Sequence, residues 1–236
     1  MNRYDMTPES TFSTPYAADE RVTAFLRSVY GWMAVGLSVT AAVAWLVAGS
    51  PEIAITIARN RMLLWGLLLA QIGIVVWLSA RVQTMAPGTA SLLFLLYSAL
   101  TGVTLSFVLL AFTGESVATT FFVTAGTFGA LATYGTVTKR SLAGWGQFLF
   151  MGLIGVVIAS VVGIFWQNDG FQFVLSFIGV ILFTGLTAYD EQRLKGMALA
   201  TGGQVGSYSI VGALTLYLDF INLFMFLLRF TGNRRN

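Results

Sequence analysis

The chain has 236 residues, of which 56% are hydrophobic and only 10% charged, far below the quarter of charged residues usual in soluble domains. It contains no cysteine and no histidine, which excludes disulfides, thiol nucleophiles, haem ligation, most zinc sites and every histidine-based triad. The formal charge of +3 sets thirteen basic residues, scattered over loops and tails, against ten acidic ones, with no aromatic-laced basic cluster of the kind that reads nucleic acid.

Residues 1–19 are polar, rich in Ser and Thr, and carry Pro8 and Pro15 with no short apolar core, so no secretory signal is visible and a mobile tail is expected. Seven apolar runs of bilayer-spanning length follow, at 28–48, 62–80, 90–112, 117–137, 148–166, 171–189 and 209–230. They predict a single all-α polytopic bundle over residues 20–230, ended by a short basic tail at 231–236. The connections at 113–116 and 167–170 are tight enough to make the spans on either side antiparallel neighbours.

Lys and Arg set the orientation. Eight lie on the amino-terminal side (Arg3, Arg21, Arg27, Arg81, Lys139, Arg140, Arg193, Lys195) and five on the other (Arg59, Arg61, Arg229, Arg234, Arg235), which favours a cytoplasmic amino terminus. Trp32, Trp45, Trp145 and Trp166 lie near span ends, as an interfacial belt requires. Small residues at helical spacing (Gly102 with Ser106, Gly126 with Gly129 and Ala130, Gly152 with Gly155) read as seams for close helix approach. No inverted repeat relates the two halves, so a repeat-swapped transporter gains no support.

Two carboxylates carry the chemistry. Asp219 lies inside the last apolar run and Asp190 closes the sixth. A carboxylate at bilayer depth costs about 2.5–3.5 kcal/mol on insertion scales and normally faces a bundle interior or a wet cavity. In the last span, Tyr208, Gly212, Thr215, Asp219, Asn222 and Arg229 share one helical face. Such a stripe either borders a cavity or belongs to a central helix whose neighbours donate to it, and Asp219 could equally be a structural carboxylate with Asn, Thr or Tyr partners. Asp219 is roughly 14 Å into its span at about 1.5 Å per residue, while Asp190 lies near the surface. The two meet only if the sixth helix continues through Glu191–Lys195 below the surface, or if a wet vestibule reaches down to Asp219.

The strings Tyr189-Asp190-Glu191-Gln192, Leu216-Tyr217-Leu218-Asp219-Phe220-Ile221-Asn222-Leu223-Phe224 and Leu227-Leu228-Arg229-Phe230 resemble the Bax inhibitor-1 family, the transmembrane Bax-inhibitor-motif group. So do Thr113-Gly114-Glu115-Ser116, Thr120-Phe121-Phe122-Val123-Thr124-Ala125 and Phe128-Gly129-Ala130, which are similar to its bacterial members. The likeness runs from about Ala18 to Arg229. It implies seven helices with the last one central and surrounded by the other six, in the bacterial inner membrane. It further implies that Asp190 and Asp219 form a proton-sharing pair on a pH-sensitive calcium leak path. Arg81 takes the place of the basic residue that latches the sixth-helix aspartate in some members. Thr187, Tyr189, Glu191, Thr215 and Asn222 are candidate supporting oxygens.

Two carboxylates within reach cannot both ionise cheaply, so such a pair titrates as a unit. They are too few for a tight calcium cage, which takes six to eight oxygens. The resemblance therefore implies Ca2+ or protons as cargo, weakly held, membrane lipid as surroundings, and no tightly bound cofactor. Two other readings compete. Bacterial members include modulators of a membrane-bound ATP-dependent quality-control protease, for which residues 1–19 are a candidate handle. An intramembrane aspartyl protease is the more distant one: Leu216-Tyr217-Leu218 stands where a Gly-x-Gly turn is required, and no Pro-Ala-Leu motif follows.

Overall fold

The computed structural model describes residues 15–166, 168–201 and 206–235, so most of the polar tail expected at 1–19 lies outside the described residues. Eight α-helices follow in chain order: α1 Pro15–Ala48, α2 Pro51–Arg59, α3 Arg61–Arg81, α4 Pro87–Ala111, α5 Gly114–Val137, α6 Gly146–Phe165, α7 Asp169–Ala200 and α8 Ser207–Thr231. All but the short α2 are long and apolar enough to cross a membrane, which makes the chain an all-α polytopic protein of seven spans. The boundaries follow from local chemistry. Pro51 and Pro87 open their helices, where a missing N–H costs nothing. Thr113 and Asn168 cap α5 and α7, accepting from the amides of Ser116 and Phe171.

Burial separates the helices by role. Fourteen of the 25 residues of α8 are buried, against two of 21 in α3 and three of 20 in α6. The last helix is therefore the interior one, and the others turn apolar faces to lipid. At close range α8 packs on α7, α1, α5 and α4, while α3 stands behind against α4 and α6 against α7. A polar pin holds α8 in place. The Tyr217 hydroxyl meets Thr40 Oγ1 at 2.6 Å, and Thr40 donates to the carbonyl of Ser98 at 2.9 Å, joining α8, α1 and α4 at a buried point. The rings of Phe94 and Tyr97 meet Tyr217 edge-on, at 5.7 and 5.8 Å between centroids.

Several expectations are revised. The sixth span does not stop at Tyr189: α7 runs on to Ala200. The first helix begins at Pro15, well before Ser28, and its Val22, Phe25 and Leu26 share a core with Leu194 and Ala198 of the extended α7. Trp32 packs against that core.

The tight connection at 113 does not make α4 and α5 packing neighbours, whereas the one at 168 does so for α6 and α7. Between the splayed α4 and α5 lies an apolar cavity of about 780 Å³, lined in part by Leu105, Leu109, Val117 and Phe121. The carboxyl tail docks at its mouth. Thr113 N donates to Asn233 O, Arg235 N donates to Ala111 O, and Phe112 and Arg234 form an antiparallel bridge. The basic tail is thus a strap across the α4–α5 turn.

The small-residue seams are also unequal. A Cβ on Gly102 would lie 2.7 Å from the Thr40 carbonyl oxygen and 2.8 Å from Val43 Cβ, whereas Gly126, Gly129 and Gly155 have open space. Gly102→Val is expected to destabilise the protein by about 1–3 kcal/mol, since overpacking must part α1 from α4. Gly129→Val should leave the thermal melt in detergent nearly unchanged; equal melting of the two variants would remove the seam.

Candidate functional site

The extension of α7 decides whether the two aspartates meet. Asp190 lies ten residues before the end of α7, at Ala200, and Asp219 lies twelve residues into α8. Both are enclosed, with 8% and 4% of their surfaces exposed. Their carboxyl groups lie against each other, within hydrogen-bonding reach. Oδ2 of Asp219 has no hydrogen-bond partner among the described residues.

Two carboxyl groups so placed attract each other only while they share a proton. With both ionised they repel and present oxygens suited to a hard cation. No cluster of three or more acidic residues able to hold a metal occurs among the described residues, so a cation taken by the pair would be held weakly.

The other candidates are distributed around this pair. Thr187 donates to the Phe183 carbonyl, Thr215 to the Val211 carbonyl and Asn222 to the Leu218 carbonyl, each within its own helix. Thr215 and Asn222 of the α8 stripe therefore bond within their own helix and leave the Asp219 carboxyl to Asp190. Tyr189 turns its hydroxyl to the start of α6, where it fills the space beside Gly146. Arg81 ends α3 on the exposed surface. Arg193 lies three residues beyond Asp190 on α7. That spacing places both on one face of the helix, a signal that was present in the sequence.

Glu191 forms a site of its own. It is fully buried, accepts from Thr136 Oγ1 at 2.8 Å and approaches the Tyr30 hydroxyl, while its Oε2 has no hydrogen-bond partner among the described residues. Lys195 Nζ donates to the Thr136 carbonyl at 3.0 Å beside it. Successive helical residues diverge by about 100°. Asp190 thus faces α8 while Glu191 faces α5 and α1. Gly135 admits this contact, because a Cβ there would meet the Ala188 carbonyl oxygen and come within 2.9 Å of Glu191 Cβ.

Comparison with known sequences agrees with this architecture. Residues 22–236 match the sequence profile of the family described as "Inhibitor of apoptosis-promoting Bax1". The chain is 50% identical to the inner membrane protein YbhL of Escherichia coli K12, across 89% of this chain and 92% of that protein. An uncharacterised protein of Borreliella burgdorferi is 43% identical, covering 90% and 93% of the two chains. One from Deinococcus radiodurans is 41% identical, covering 100% and 98%. From the profile match and these near-full-length relatives, the chain belongs to the Bax inhibitor family of membrane proteins.

Proposed function

We propose that the protein is a pH-sensitive leak for calcium or a similar hard cation in the bacterial inner membrane, with Asp190 and Asp219 as its gate. The observation that supports this reading most is the meeting of two carboxyl groups from different spans inside the bundle. As a shared-proton pair they tie α7 to α8 and carry one negative charge fewer. When the proton leaves, the same oxygens repel each other and attract the cation. Proton and cation thus compete for one site, which suits a leak rather than a store. The inner-membrane location is extended from YbhL, and the basic-residue asymmetry supports a cytoplasmic amino terminus.

The proteolytic reading also needs two aspartates, but an open approach for a substrate strand would have to reach them. Among the described residues, cavities of about 430, 780 and 870 Å³ are lined by neither aspartate. The protease-modulator reading rests on residues 1–19, and the geometry adds nothing to it.

The test is calcium flux into proteoliposomes, between about pH 6 and 8, where a carboxyl pair held together by burial can titrate. Wild-type flux is expected to depend on pH, and Asp190→Asn or Asp219→Asn to flatten or abolish that dependence. Flux absent at every pH, or titrating identically in both variants, would return the aspartates to a structural role.

The latch is tested separately. Because Arg193 lies within one turn of Asp190 on α7, Arg193→Gln should move the pH profile more than Arg81→Gln does. A larger effect of Arg81→Gln would mean that α3 swings its end onto Asp190 during gating.

A further inference from the structure

At the end of the bundle that carries the carboxyl terminus, a cavity of about 870 Å³ lies between α6, α7 and α8. Its walls divide by chemistry. Val157, Val161 and Ile164 of α6 line it and are themselves exposed on the lipid-facing surface, so the cavity communicates with acyl chains. Arg229 from the last turn of α8 and Arg234 from the strap line it as well. The charged group acting on Arg229 is Arg234, a like charge. Asp169 is the one carboxylate lining the cavity among the described residues, so the lining carries a net single positive charge.

The strap makes this juxtaposition a built feature. Its bonds to Ala111 and Thr113, and the bridge from Arg234 to Phe112, fix the Arg234 backbone against the α4–α5 turn. Two like charges held at the edge of a low-dielectric region call for a counter-ion. The planar donor fork of arginine matches phosphate oxygens, and charge-assisted bonds of this kind are the strong ones.

We propose that Arg229 and Arg234 form a binding site for the phosphate of an anionic phospholipid, whose acyl chains lie along Val157, Val161 and Ile164. The sideways opening favours a lipid over a soluble anion, and the net positive lining favours an anionic headgroup over a zwitterionic one. This site is independent of the leak reading and of the paired aspartates.

The experiment is native mass spectrometry of the full chain released from detergent, titrated with phosphatidylglycerol or phosphatidylcholine of the same acyl chains. Phosphatidylglycerol should be retained preferentially, and Arg229→Gln with Arg234→Gln should weaken it about tenfold, the loss expected for a charge-assisted bond. Arg234→Gln alone, beyond the last helix, carries the test should the double variant not fold. Lys139→Gln with Arg140→Gln, in the loop between α5 and α6, should change nothing. Equal retention of the two lipids, or an undiminished preference in the arginine variants, would overturn the proposal. So would displacement of the lipid by millimolar inorganic phosphate, which would identify a soluble oxyanion as the occupant.

Discussion

A carboxylate in the middle of a membrane must be enclosed, and the arrangement of this bundle follows from that constraint. Asp219 lies at the midpoint of α8, and α8 is the helix with the most buried residues. Four spans wall it in at close range, and the Tyr217–Thr40–Ser98 bonds fix its depth two residues before the aspartate. An unpaired polar group in hydrocarbon costs several kcal/mol, so this pin and the aspartate pair resist displacement together. The outer helices need only an apolar face for lipid, and α3 and α6 have little more.

Asp190 and Glu191 share α7 yet engage different neighbours. One meets Asp219 on α8; the other is held by Thr136 on α5 and lies near Tyr30 on α1. A movement of α7 that parts the aspartates therefore also disturbs the Glu191 contact. Packed helices shift between discrete arrangements rather than deform smoothly. The adjacent carboxylates would then switch as one element, with α7 as the moving part of the proposed gate.

Much of this was legible in the residues. Apolar runs of spanning length gave the class and the seven spans, and the cost of an intramembrane carboxylate singled out Asp219. Hydropathy failed where an apolar run ends and its helix continues. The polar stretch Glu191–Ala200 ends an apolar run but not a helix, because α1 extends beside it and buries Leu194 and Ala198. The splay of α4 and α5 was hidden because loop length limits the distance between helix ends and says nothing about their angle. The strap was hidden for a related reason. Its bonds are made mainly by backbone groups, which every sequence supplies. Glu191 stands next to Asp190 in the sequence but serves a separate contact, because a one-residue step along a helix turns it to another face.

The central claim is that the same two carboxyl groups hold either a proton or a cation. Proton release on calcium addition tests it most directly, measured with a pH electrode on concentrated, weakly buffered protein in nanodiscs near neutrality. Wild type should release up to about one proton per chain as millimolar calcium is added, the proton that a carboxyl pair shares. Asp219→Asn should release none. No release from the wild type, or the same release from the variant, would contradict the account.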